Sequence, residues 1–97
     1  MYVAVCRLEL EIPAAASLKD KRRVLQSVIS RVRNKFRVAL AEVDAQEQWG
    51  HAVLGISTVS NNGGHARQVL GEVVRFIEGL RMDADVGAVD FEILEAL

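Results

Sequence analysis

Lys19, Lys21, Arg22, Arg23, Arg31, Arg33, Lys35 and Arg37 are eight of the twelve Lys and Arg residues in this 97-residue chain, and all fall between Ser17 and Arg37. Asp20 is the one acid among them, so the stretch carries +7, and the remainder, with four basic and twelve acidic residues, carries −8. The overall charge of −1 hides this polarity. A lumped positive charge attracts phosphates or an acidic partner. Lys19, Lys21 and Arg22 stand near the start of a predicted helix, where free N–H groups and the helix dipole favour anions. Lys21 and Arg22 are expected on opposite flanks of that helix's apolar stripe, with both heads reaching solvent, where they could clamp a phosphate. The plainer alternative is snorkelling, with long stems covering the core edge. Arg31, Arg33, Lys35 and Arg37 lie near the helix end, where cations also satisfy the dipole and the last carbonyls. Taken together, the two groups spread charge along one helix, a pattern suited to tracking an RNA backbone rather than filling a small pocket.

Other chemistry is sparse. His51 and His65 are far apart in sequence and Cys6 falls on an apolar face, so no metal-ligand spacing is present. No nucleophile motif accompanies them. We therefore expect no catalytic residues, no metal, no cofactor and no enzymatic activity. Glu42, Asp44 and Glu47 cluster in or beside one connection. They read as solvated turn residues, or as partners for Lys21 and Arg22 at the same end of the fold. Trp49, the sole Trp, could anchor an interface, cap the core or stack on a base.

The elements that position these residues are legible from periodicity. Tyr2, Ala4, Cys6, Leu8, Leu10 and Ile12 alternate with Arg7, Glu9 and Glu11, which predicts a strand with one buried face. Ser17 is an N-cap with Asp20 as its capping-box acid. Leu18, Leu25, Val28, Ile29, Val32 and Phe36 then form one helical stripe, with Arg23, Ser27, Ser30 and Asn34 opposite and facing solvent. Strands are predicted over Val38 to Asp44 and Trp49 to Ser60, the latter with Leu54 and Ile56 inward. Asn61 to Gly64 is a turn. A second helix carries Ala66, Val69, Leu70, Val73, Val74, Ile77 and Leu80 on its apolar face. Met82 to Gly87 reads as a polar connection, and Val89, Phe91 and Ile93 mark a final strand.

The order β-α-β-β-α-β over residues 1–97 predicts a single α+β domain, the ferredoxin-like split βαβ sandwich. Its antiparallel sheet has order 4-1-3-2 and two helices on one face. The other face is open and is expected to carry Val3, Val5, Val53 and Val59. With 51% hydrophobic residues in so short a chain, that apolar face predicts a homodimer across it or along a sheet edge, with Trp49 among the interface candidates. The open face lacks the aromatics of an RNA-recognition motif. The first loop, Pro13 to Ala16, has neither the Cys pair of a metallochaperone nor the Gly-rich Arg loop of an acylphosphatase. No disulfide can form from one Cys. The N-terminal segment does not read as a signal peptide and no apolar run is long enough to span a membrane. The expectation is a soluble cytoplasmic protein with no membrane contact.

Ser17-Leu18-Lys19-Asp20-Lys21-Arg22, Val38-Ala39-Leu40-Ala41-Glu42-Val43-Asp44 and Trp49 through Val59-Ser60-Asn61 together resemble the YlxP-like family of small bacterial proteins, a family of unknown function. The resemblance implies a ferredoxin-like fold, a bacterial source and a dimer. Genes of that family lie among translation and ribosome-assembly factors, which implies an RNA-related role. Three readings stay open. The first is a non-enzymatic module binding RNA or a ribosomal particle through the basic helix. The second is a homodimeric small-ligand regulatory domain, and the third an adaptor for an acidic protein. A deep polar pocket at the helix start would favour a small ligand. A flat basic stripe would favour a macromolecule.

Overall fold

The computed structural model describes residues 1–80 and 83–97. The elements run β1 (Tyr2–Glu11), α1 (Leu18–Lys35), β2 (Ala39–Asp44), β3 (His51–Ser60), α2 (Gly63–Gly79) and β4 (Asp85–Glu95). The sheet is ordered β2-β3-β1-β4, which is 4-1-3-2 read from the other edge, and every pairing is antiparallel. This is the expected ferredoxin-like arrangement.

Alternation along β1 buries Ala4, Cys6, Leu8 and Leu10, with Ile12 just beyond. On β3 it buries Ala52, Leu54 and Ile56, the parity expected. Leu25, Val28 and Val32 of α1 and Ala66, Leu70, Val73, Val74 and Ile77 of α2 close over that one face and complete a single core. Arg23, Ser30 and Asn34 are exposed as expected, while Ser27 is half-buried. Both helix starts are capped. Ser17 Oγ accepts from Asp20 N at 3.1 Å, Asp20 Oδ2 accepts in return from Ala16 N at 3.1 Å, and Asn62 Oδ1 accepts from His65 N at 2.9 Å. These bonds satisfy N–H groups that a helix start leaves without partners. Gly63 is needed for closeness, because a Cβ there would sit 3.1 Å from Tyr2 Cδ1 and 3.3 Å from Ile93 Cγ2. At the other end of the helices, Phe36 and Phe76 meet edge to face with centroids 5.5 Å apart.

The last strand departs from expectation. It begins at Asp85 rather than Val89, so most of the expected connection is strand. Met82, the first residue of that expected connection, lies outside the described residues. Leu8 pairs with Val89 but Leu10 pairs with Val86, so Gly87 and Ala88 together oppose Glu9. This β-bulge shifts the phase of the alternation and hides the strand from a period-two reading. A second bulge sets Glu42 opposite Leu54 but Asp44 opposite Val53. Val43, the extra residue, therefore lies over Gly55, where a Cβ would stand 2.8 Å from Val43 Cγ1.

Candidate nucleic-acid interface

The eight cations of the basic stretch do not act alike. Lys21 is 1% exposed, the one buried charged side chain among the described residues. Its Nζ donates to Ala45 O at 2.6 Å and lies 2.7 Å from Glu42 Oε2. That buried oxygen has no hydrogen-bond partner among the described residues, so the Lys21–Glu42 contact is one of charge. Ala45 adopts φ 58, in the left-handed region, and its carbonyl also accepts from Gln48 N at 3.0 Å. Lys21 thus ties the start of α1 to the β2–β3 hairpin, and the expectation that it reaches solvent to hold a phosphate is corrected. The helical wheel carries the signal. At about 100° per residue, Lys21 falls within about 40° of Leu25, Val28 and Val32, which places it in the stripe rather than on its flank. Glu42 shares parity with the buried Leu40, so it projects toward the helices rather than into the hairpin loop.

The other seven, Lys19, Arg22, Arg23, Arg31, Arg33, Lys35 and Arg37, are exposed. Among the described residues none of them forms an ion pair. Arg33 Nη2 donates to Leu40 O at 3.1 Å, which holds it on the β2 side. Lys35 Nζ stands 4.8 Å from the Phe76 centroid on the α2 side. Phe36 ends the helix by donating its N–H to Val32 O, and Arg37 follows in the approach to β2. Six of the seven cations therefore occupy the outer face and both flanks of a helix about 27 Å long, and Arg37 stands just past its end. The helix start offers no anion pocket. The hollow there, about 240 Å³, is lined by Asp20 and Asp83 together with Arg23. The surface is thus a broad basic stripe without a deep polar cavity at its start.

The open face of the sheet divides the residues expected at an interface. Val3 pairs with Val59, and Val5 with Ser57. Val59 is 64% exposed, Val3 and Val5 are half-buried, and the three gather at one end. Val53 is 1% exposed despite its parity, so it is not available to a partner. The reason is a charged bridge over it. Arg7 on β1 reaches Asp44 on β2 across β3, Nη2 to Oδ2 at 3.8 Å, while its Nη1 holds Glu9 Oε1 at 3.0 Å. His51 Nδ1 lies 2.7 Å from Glu11 Oε1 and its Nε2 4.0 Å from Glu9 Oε1. Trp49 is 54% exposed beyond the start of β3, so it does not cap the core. It stands about 30 Å along the strand from Val59, too far to share one patch with it.

Among the described residues no cluster of three or more His, Cys, Asp or Glu could hold a metal, and no helix is long and apolar enough to cross a membrane. Cys6 is free and buried. Burial pushes its thiol up from 9.0 to about 11, with Arg67 pulling it down and Asp90 adding to the rise. Such a thiol is a packing group rather than a nucleophile.

Comparison with known proteins agrees with the family resemblance read from the three segments. A family model described as "Protein of unknown function (DUF503)" matches residues 3–91. A Bacillus subtilis (strain 168) protein, "Uncharacterized protein YlxP", is 36% identical over 76 residues, which cover 78% of this chain and 83% of that protein. A match running from β1 into β4 spans the whole sheet and both helices, and on that ground the chain belongs to the DUF503 family.

Proposed function

We propose that this protein is a non-enzymatic RNA-binding module that grips phosphates along α1. One observation carries the reading: seven exposed cations, none in an ion pair among the described residues, line one helix and the residue just past its end. No acid occurs between Asp20 and Glu42 to neutralise them. A solvated structural helix normally intersperses both signs, as i,i+4 pairs add stability. Beyond the capping Asp20, charge of one sign along about 22 Å of helix instead complements a phosphate backbone. Asp20 and Asp83 line the hollow at the helix start, which disfavours a small anionic ligand there.

The test is RNA binding measured by fluorescence anisotropy across a salt series. If about four cations touch phosphates, log K falls against log salt with a slope of roughly −3 for a single strand. Arg22→Gln/Arg33→Gln flattens the slope by roughly 1–1.5 and weakens all sequences alike, without unfolding the protein. Binding that is absent at low salt, or a slope untouched by that double substitution, overturns the reading. Retention of an acidic protein but no RNA assigns the helix to the adaptor class instead.

A further inference from the structure

At the end of the sheet nearest the end of α1 lies a groove of about 370 Å³, lined by Arg37, Val38, Ala39, Ser57, Thr58 and Val59. It exists because two strands part. Ala39, the first residue of β2, pairs with Ser57, yet β3 continues to Ser60. Past Ser57, the β2 side of β3 faces Arg37 and Val38 rather than a strand. Among the described residues one bond spans this gap, from Thr58 Oγ1 to Arg37 O at 3.4 Å. Backbone groups that a ladder would have paired are left facing the groove or water. The walls supply an apolar surface from Val38, Ala39 and Val59 and hydroxyls from Ser57 and Thr58.

Charge decides what such a groove fits. Arg37 stands in its wall, and Arg33 and Lys35 are in the helical turn just before it. No acidic residue occurs from Lys21 to Ala41 or from Ala52 to Gly71. Glu72 and Glu78 are on α2, and most of the other acids sit elsewhere. Glu9, Glu11 and Asp44 gather around His51 and Arg7 at the hairpin end. Asp85, Asp90, Glu92 and Glu95 are on β4, the opposite edge of the sheet from β2. An Arg beside an apolar wall and unpaired backbone donors and acceptors, with further cations next to it, can hold an unstacked nucleobase and its phosphates, the guanidinium plane serving where the groove has no aromatic ring. Bases within a duplex are already paired and stacked and cannot enter.

We infer that the groove between Arg37–Val38 and Ser57–Val59 is a base slot, which makes single-stranded RNA the substrate class of the basic helix. The inference rests on the RNA-binding reading above and adds strand selectivity to it. Phosphate contacts along α1 supply affinity common to all RNA, and the slot separates single strand from duplex.

The test compares a fluorescein-labelled oligouridylate 12-mer with a 12-base-pair RNA duplex at fixed salt, using the full chain. The single strand is expected to bind about fivefold more tightly than the duplex, the low end of what base–aromatic stacking contributes, since the groove offers an Arg rather than an aromatic ring. Ala39→Leu fills the groove from an exposed position and is expected to abolish that preference while leaving the salt slope unchanged. Thr58→Val, which removes a hydroxyl without changing side-chain size, is expected to reduce it in the same direction. Equal binding of the two probes overturns the slot while leaving the phosphate-binding reading intact. So does a preference that survives both substitutions. Absence of salt-dependent binding to either probe overturns both. Light scattering supplies the last arm: a stable dimer at the binding concentration, converted to monomer by Val59→Asp, assigns this face to a second copy and overturns the slot.

Discussion

Lys21→Met is the most informative perturbation of the fold, because it removes one charge from a basic helix and is expected to act on stability alone. Methionine keeps most of the stem's volume, so little cavity forms. What is lost is the 2.6 Å bond to Ala45 O and the 2.7 Å ion pair with Glu42. A hydrogen bond from a charged group contributes about 1.5–3 kcal/mol. Breaking a fully buried pair by removing one partner costs about 3–5 kcal/mol. Glu42 is 22% exposed on its side chain and Ala45 O keeps its bond from Gln48, so the cost falls toward the lower figures, about 2–3 kcal/mol. In a domain of this size that lowers Tm by roughly 10–20 °C. Glu42→Gln costs less, about 1–2 kcal/mol, because Lys21 keeps its carbonyl partner. The double variant Lys21→Met/Glu42→Met removes both charges and should lose less than the sum, with a coupling of about 1–2 kcal/mol. Urea unfolding monitored by Trp49 fluorescence or circular dichroism gives all three values. Arg22→Gln, an exposed neighbour, serves as the control and should stay within about 0.5 kcal/mol of the parent. A Lys21→Met protein as stable as that control would refute the reasoning, as would independent, additive losses at Lys21 and Glu42.

Two further outcomes follow from the packing. Gly55→Ala places a Cβ 2.8 Å from Val43 Cγ1, so it should destabilise by about 1–2 kcal/mol; combining it with Val43→Ala should recover most of that loss in urea melts, and failure to recover it would show that the bulge does not set the clash. Cys6 contributes a pH dependence, since its folded-state thiol is raised to about 11 from 9.0. The contribution is fully present below about pH 9 and is lost as pH rises through about 11, up to roughly 2–3 kcal/mol. Stability curves for the parent and Cys6→Ala should therefore converge between those pH values, and parallel curves would contradict the burial argument.

How much of this was legible follows from which interactions are local. Period two in Tyr2–Ile12 and period 3.6 in α1 and α2 gave the elements, because each side chain's face is set by its own backbone. Ser17 and Asp20 announced a helix start, since capping bonds span only a few residues. The order of these elements then sufficed for the sheet topology. The final strand looks shorter in the sequence than it is because the Gly87–Ala88 bulge breaks its alternation, and a bulge is decided by the partner strand. Parity alone puts Val53 on the surface, because it cannot show a neighbour's side chain crossing above it.

The basic helix divides along the same line. Its charge, its lack of interspersed acid and its helical register belong to the sequence by itself, as do the fold class and the family resemblance. Which of its cations are free to meet an anion was decided by tertiary structure. Lys21 sits in the apolar stripe, but only the β2–β3 hairpin, folding back 24 residues later, supplies Ala45 O and brings Glu42 within 2.7 Å to neutralise it. The parting of β2 from β3 beside Arg37 is likewise a matter of where pairing stops. Local sequence fixes the direction in which a side chain leaves its backbone. Burial, pairing and the end of a ladder depend on atoms from distant segments, and these meet only when the chain has folded.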